Sequence, residues 1–315
     1  MPTKGSEVRM RAVVNTPDGV DPVELQDVEQ PMPAPNEVLV EVEAFSINRG
    51  ELTLIERRPP GWRPGQDVAG VVVQPAADGS GPHAGARVVG LVEGGGWAQH
   101  VPVPTSKLSV LPDSVSCEQA ATLPIAGLTA LRTLRLGSDL LGRRVLVTGA
   151  NGGVGRFQVE LAAASGATVT AVTRRTDKVP ELEDLGARTV VADVDTAGPG
   201  FDLVLESVGG SVLAAAIAKV APGGMVVLVG NTSGEPTPVS IYDFFGHEGA
   251  RLQNFMSYAA TAPVDHDLAV LVDLVCGGRL NPTLGHLADW SEIVGALSLF
   301  REGKIDAGKV VLTVA

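Results

Sequence analysis

The stretch VLVTGANGGVGRFQVELAAASGATVTAVTRR, residues 145–175, limits the possible folds more than any other part of the chain. Val145, Leu146 and Val147 open it as a short apolar run suited to a buried strand. Glycines follow at 149, 152, 153 and 155, then an amphipathic segment over 154–165 with Gly166 as its stop, then a β-branched run over 168–172. Strand, glycine turn, helix and strand within about 30 residues make the βαβ unit that holds a dinucleotide. The glycines let the backbone turn sharply and admit a pyrophosphate where Cβ atoms would block it, and the helix N-terminus offers free N–H groups to the phosphates. Gly149, Asn151, Gly152, Gly153 and Val154 are therefore candidate cofactor contacts.

The end of the second strand points to the type of dinucleotide. An NAD-binding unit carries an acidic residue there, which accepts hydrogen bonds from the ribose 2′-hydroxyl. This chain has Thr173, Arg174 and Arg175, with the nearest acid, Asp177, already past the turn. A guanidinium binds phosphate as a bidentate fork. In a chain of net charge -12, this basic cluster suits the 2′-phosphate of NADP(H).

At 315 residues and 44% hydrophobic content, the chain can bury two cores. The acidic balance argues against nucleic acid or an anionic membrane surface as partner. Two cysteines, Cys117 and Cys276, can make neither a disulfide framework nor a structural zinc site. With no membrane-length apolar run and no signal-peptide pattern, a cytoplasmic protein is expected.

Residues 9–107 read as short strands between Pro- and Gly-rich turns, with almost no helical periodicity. The strands are expected over 11–15, 37–45, 68–74, 86–92 and 97–103. Helical periodicity begins at Cys117, covering 117–123 and 124–136, with Pro124 at a helix start. After the dinucleotide unit come strands over 201–206 and 225–230, with a helix over 210–220 closed by Pro222, Gly223 and Gly224. Residues 233–256 are less legible and are expected to form a site wall. Helices over 263–276 and 289–300 and a strand over 308–314 complete the chain.

This order resembles the medium-chain dehydrogenase/reductase superfamily, most closely its zinc-free, quinone oxidoreductase-like (zeta-crystallin-like) branch. The resemblance is carried by FSINRGE (45–51), PGQDVAGVV (64–72), GGWAQHV (95–101) and LPIAGLTAL (123–131). The glycine motif, DLVLESVG (202–209), GMVVLVG (224–230) and GKVVL (308–312) follow in order. It implies an α/β protein with a GroES-like β-rich catalytic domain, residues 1–118 completed by 264–315. A Rossmann domain with a doubly wound parallel sheet, residues 119–263, would complete it, with a cleft between the two.

The resemblance also implies roles. In zinc alcohol dehydrogenases a Cys stands at the position of Asn48 and a His-Glu pair at Gln66-Asp67, so no metal site is expected. Asn48 would lie near the nicotinamide and contact cofactor or substrate, unless it only caps a turn. Asp67 stands with Asn48 as a candidate catalytic residue, with bracing of backbone N–H groups or Arg49 favoured over proton transfer. Arg49 and Lys309 match basic positions that touch the pyrophosphate, and Thr129 a hydroxyl near the nicotinamide. Gly230, Asn231 and Thr232 match the nicotinamide end, with Phe255 and Met256 as a wall there. Ser207 and Val208, after the strand ending at Glu206, stand at the same edge. Of two tyrosines, Tyr258 is the better candidate proton donor, with solvent as the alternative.

Without a Lewis acid, hydride delivery from NADPH suits an acceptor that spreads charge by conjugation: a quinone, enone or enoyl group. A homodimer through the Rossmann sheet edge is expected. TGANGGVG (148–155) also fits the short-chain dehydrogenases, but the residues four after Tyr242 and Tyr258 are Gly246 and Ala262, not the lysine that class needs. The alternative function is a non-catalytic NADPH-binding or redox-sensing protein.

Overall fold

Alternating apolar and charged residues build the strands of the first unit, which comprises Met1–Leu128 and Ala262–Ala315. The computed structural model describes residues 8–17, 19–257 and 263–314. Strands β1 (Arg9–Asn15) and β2 (Val23–Glu29) form an antiparallel ribbon. The larger sheet uses β3 (Glu37–Ile47), β4 (Asp67–Gln74), β5 (Arg87–Leu91), β6 (His100–Pro104) and β7 (Leu108–Val110). The strands β14 (Leu284–Asp289) and β15 (Lys309–Thr313) return from the far end of the sequence. Their order is β14-β15-β3-β4-β5-β7, with β6 also paired to β3. The pairing of β15 against β3 sets Val310 opposite Ile47. Trp97 and Phe45 are both fully buried and stack with ring centroids 5.6 Å apart at the centre of this core.

One helix interrupts the strand-only reading of this region. Helix α1 (Arg49–Arg57) buries Leu52 and Ile55, which are three residues apart on one face. It was hidden in the sequence because only that narrow stripe is apolar in a nine-residue helix rich in charge. The helical run from Cys117 is also broken. It divides into α2 (Cys117–Ala120), a π-turn over Leu123–Gly127 containing Pro124, and α3 (Leu128–Arg135). Residues 119–128 belong with the first unit, beyond the boundary at 118 read from the sequence. A physical tie accompanies this: Ile125 N–H donates to the Asp67 carboxylate at 3.0 Å.

The second unit, Thr129–Thr261, is a parallel sheet. Its strands are β8 (Arg144–Val147), β9 (Thr168–Val172), β10 (Thr189–Val191), β11 (Phe201–Glu206), β12 (Val220–Leu228) and β13 (Arg251–Asn254). The order is β10-β9-β8-β11-β12-β13, the doubly wound arrangement. Crossovers include α4 (Gly153–Ala164), α5 (Val179–Asp184) and α6 (Gly210–Ile217). Val145, Leu146 and Val147 of the central β8 are fully buried. All four residues of the edge strand β13 are exposed.

Pro222, Gly223 and Gly224 do not close a helix: α6 stops at Ile217 and these residues lie inside β12. Pairing with β11 shifts register between Phe201 and Leu203. A Cβ at Gly224 would sit 2.9 Å from the Phe201 carbonyl oxygen, so the close approach there requires glycine. Among the described residues, no helix is long and apolar enough to cross a membrane. Helices α7 (Val264–Cys276) and α8 (Ile293–Arg301) belong to the first unit.

Candidate functional site

In the second unit, the ends of β8 and β11 are tied together by one buried carboxyl group. Thr148 Oγ1 donates to Glu206 Oε1 at 2.9 Å and accepts from the Ser207 N–H at 2.9 Å. Glu206 also accepts from the N–H groups of Val208 at 2.8 Å and Gly209 at 3.0 Å. Burial pushes the Glu206 carboxyl above the usual range, against the pull of those N–H donors. Beside this knot Gly149 adopts φ +59°, a left-handed conformation, and Gly152 stands at the N-cap of α4. A Cβ at Gly155 would meet Ala150 Cα at 2.7 Å, so this third glycine lets the helix close against its turn. Gly153 and Val154 open α4, where first-turn N–H groups have no intrahelical acceptor.

The structure gathers several further candidates around the same strand ends. The Ser207 carbonyl accepts from Thr232 N–H at 3.2 Å and Thr232 Oγ1 at 2.7 Å. Ser233 N–H donates to Val208 O at 2.8 Å, and Ser233 Oγ donates to Asn231 Oδ1 at 3.0 Å. A Cβ at Gly230 would lie 3.2 Å from Ser207 O. The Ser207 hydroxyl is buried and has no hydrogen-bond partner. A glycine cradle beside an orphaned hydroxyl fits a polar ligand such as a dinucleotide. Asn151 Oδ1 accepts from Arg156 at 3.1 Å. Phe255 N–H donates to Leu228 O at 2.9 Å, and Met256 is half exposed. Thr129 is buried in the first turn of α3, and its carbonyl accepts from Thr133 Oγ1 at 2.7 Å. Tyr258 lies outside the described residues.

The two arginines after β9 differ. Arg175 grips Asp177 through Nε at 2.9 Å and Nη2 at 2.7 Å, and this pairing pulls the Asp177 carboxyl down to about 2. Asp177, which the sequence places past the turn, folds back onto Arg175. Thr173 Oγ1 accepts the Arg175 N–H at 3.2 Å. Arg174 is exposed and makes no hydrogen bond or ion pair among the described residues. Lys178 is buried and pairs with Glu181 at 2.8 Å. One uncommitted guanidinium therefore stands at the end of β9, where the sequence suggested two.

A second constellation lies in the first unit. Lys309, 4% exposed at the start of β15, donates to the Ile47 carbonyl at 3.1 Å, to Asp67 Oδ2 at 3.2 Å and to Asn48 Oδ1. All three ammonium hydrogens thus have acceptors. Asn48 Nδ2 donates to Asp67 Oδ2 at 2.8 Å, and Ser46 Oγ donates to the same oxygen at 2.7 Å. The other carboxylate oxygen of Asp67, itself fully buried, accepts from Ile125 N–H at 3.0 Å. Asp67 braces four neighbours. Lys309 is an internal counter-ion, and Arg49 lies over the Phe300 ring at 5.3 Å.

Ser46 and Glu51 were missed in the sequence. Glu51 is fully buried, with Oε2 accepting from Asn48 N–H at 2.7 Å and Oε1 from Gln66 N–H at 2.9 Å. It clamps the segments that carry Asn48 and Asp67. The spacing Asn48-x-x-Glu51 is a capping-box signal and could have found it. Desolvation and the neighbouring Asp67 charge push the Glu51 carboxyl up to about 8.

Comparison with known proteins agrees with this architecture. Residues 34–113 match the alcohol dehydrogenase GroES-like domain, and residues 153–275 match the zinc-binding dehydrogenase family model. The chain is 32% identical over 244 residues to a mycocerosic acid synthase-like polyketide synthase of Mycobacterium tuberculosis, covering 71% of this chain and 11% of that protein. It is 37% identical over 185 residues to the chloroplast envelope quinone oxidoreductase homolog of Arabidopsis thaliana, covering 53% of this chain and 56% of that protein. The chain therefore spans about a tenth of the polyketide synthase and a little over half of the plant relative. Mycobacterial Rv1454c, solved in complex with NADPH, superposes with a TM-score of 0.84 at 25% identity, covering 96% of this chain and 99% of that one. The chain belongs to the medium-chain dehydrogenase/reductase superfamily, in its quinone oxidoreductase-like branch.

Two outcomes follow from the buried charges. Lys309→Met leaves the Asp67 carboxylate buried without its cation and is expected to cost about 3–5 kcal/mol of stability. Lys309→Met with Asp67→Asn should recover much of that loss in denaturant unfolding, and no recovery would show that the pair is not the stabilising unit. Glu51 holds its proton more tightly in the folded state, about 8 against an ordinary 4.5. Its contribution to stability is therefore complete below about 4.5 and is lost as pH rises toward about 8. Unfolding free energies measured across that window should fall for the wild type and fall less for Glu51→Gln; parallel curves would refute the assignment.

Proposed function

We propose that this protein is an NADPH-dependent oxidoreductase that delivers hydride to a conjugated acceptor, a quinone, enone or enoyl group, without a catalytic zinc. The observation that carries the reading is the engagement of Asn48 and Asp67 by the Lys309 ammonium. Where zinc relatives would place metal ligands, this chain has an amide and a carboxylate already bound to its own internal cation. An acceptor that spreads the incoming charge by conjugation suits such a site.

When bound, NADPH supplies the hydride; binding and orientation fall to the chain. Gly149, Gly152 and Gly153 with the N-terminus of α4 would take the pyrophosphate, and the orphaned Ser207 hydroxyl offers a further polar contact. Arg174, free of any carboxylate, would take the 2′-phosphate as a fork. The NADPH complex of Rv1454c supports this choice of cofactor. Asn48 Nδ2 gives one hydrogen to Asp67 and retains a second, which can stabilise negative charge developing on the acceptor oxygen. Lys309 and Asp67 fix the direction of that amide.

The test is oxidation of NADPH and NADH, followed by loss of nicotinamide absorbance, against a benzoquinone, a short enone, an enoyl thioester and a simple ketone. Turnover is expected with a conjugated acceptor and not with the ketone. Arg174→Ala should raise the KM for NADPH about tenfold or more and leave that for NADH nearly unchanged, given charge-assisted bonds of about 1.5–3 kcal/mol. Equal loss with both cofactors would overturn the 2′-phosphate assignment. Tight NADPH binding without turnover of any acceptor would favour a cofactor-binding sensor.

A second copy of this chain is proposed at the open edge of β13. The strand is exposed along its length, and Ile241, Tyr242 and Phe245 just before it are 73%, 71% and 71% exposed. An unpaired strand beside a large apolar patch favours self-association. Sedimentation should show a dimer that Phe245→Glu with Leu252→Glu converts to monomer. A monomeric wild type, or a dimer that survives both substitutions, would refute it.

A further inference from the structure

Two hydrogen-bond donors in the first unit converge on a glycine pair and have nothing to bind. Arg63 is half-buried; its carbonyl accepts the Gly95 N–H at 2.9 Å, but its guanidinium makes no ion pair or hydrogen bond among the described residues, and desolvation lowers its proton affinity. Trp62 is half-buried as well, and its indole N–H has no partner among the described residues. A Cβ at Gly94 would lie 3.7 Å from Trp62 Nε1, and one at Gly95 would lie 3.9 Å from Arg63 Nη2. The absent Cβ atoms leave room directly in front of both donors. Arg63, Glu93, Gly94 and Gly95 line a hollow of about 420 Å³ and a second hollow of about 360 Å³. Arg58, over the Trp62 ring at 5.9 Å, adds a second positive charge to the smaller one.

The carboxylates nearby do not neutralise this guanidinium. Glu93 pairs with Lys107 at 3.3 Å, and its side chain is 93% exposed. Glu37 accepts the Ala34 N–H at 2.8 Å. Half-burial removes part of the water around this cation, and no carboxylate of the described residues stands in for it. In a chain of net charge -12, with acids available, this arginine is left open.

We infer that Arg63 and the Trp62 indole N–H form a binding site for an oxyanion, a carboxylate or phosphate group carried by a small molecule, cradled over Gly94 and Gly95. A guanidinium supplies the fork and the indole a single lateral donor, a set suited to an anion with several acceptor oxygens. The segment holding Arg63 leads directly into Gln66 and Asp67. Four residues span at most about 14 Å, so the Arg63 Cα lies within that distance of the Asp67 Cα. The site stands independently of the hydride-transfer reading.

Trp97 and Trp290 are buried at 0% and 3% exposure, so Trp62 is the tryptophan whose fluorescence answers to a ligand at this site. The full chain is titrated with inorganic phosphate and, separately, with acetate. A saturable change in tryptophan fluorescence is expected in the wild type and in Arg174→Met, which removes the other free phosphate fork. Affinity should fall about tenfold or more in Arg63→Met and by a smaller factor in Arg63→Lys. Response to phosphate alone assigns a phosphoryl-bearing ligand; response to acetate assigns a carboxylate. Unchanged affinity in a folded Arg63→Met or Arg63→Lys variant, or no saturable response to either anion, overturns the site.

Discussion

The ion pair between Lys309 and Asp67 is the contact on which the first unit depends. Both groups are almost wholly removed from water, where an isolated charge would cost several kcal/mol. The cost is offset only because every polar atom is used: three acceptors around the ammonium, and Ser46, Asn48 and Ile125 around the carboxylate. That completeness fixes Asn48 in one orientation. A side-chain amide that could flip would present donor and acceptor alternately; this one cannot.

The second unit reaches a comparable result by different means. Glu206 plays the organising part, but its partners are backbone N–H groups and one hydroxyl, with no cation. A carboxyl group buried among donors holds two strand ends in register and shapes the turn that carries Ser207. In each unit a buried acid, Asp67 in the first and Glu206 in the second, organises the polar groups around it.

Backbone requirements were legible in the sequence; side-chain partnerships were not. The glycine run announced the turn because Gly149 takes a left-handed φ and a Cβ at Gly155 would collide with Ala150. The strand at 37–45 declared itself through its alternation of charged and apolar residues. Helix α1 stayed hidden because its buried stripe is two leucine-sized residues wide. Strand β14 was missed because His286 and Gly285 break its pattern. Lys309 reads in sequence as a contact to the pyrophosphate, and its burial against Asp67 depends on strands more than two hundred residues away. Asp177 reads as a bystander until the turn folds it onto Arg175. Such pairings are set by tertiary geometry, and no local pattern encodes them.

The pairing of β15 with β3 has a consequence for synthesis. Asp67 emerges early, in the first quarter of the chain, but its counter-charge is carried by a strand near the very end. The entire second unit, whose strands all lie within Thr129–Thr261, is translated in between. A ribosome therefore releases a nucleotide-fold unit complete in itself while the earlier one still holds an uncompensated acid. Of the two units, the one begun earlier is the later to close.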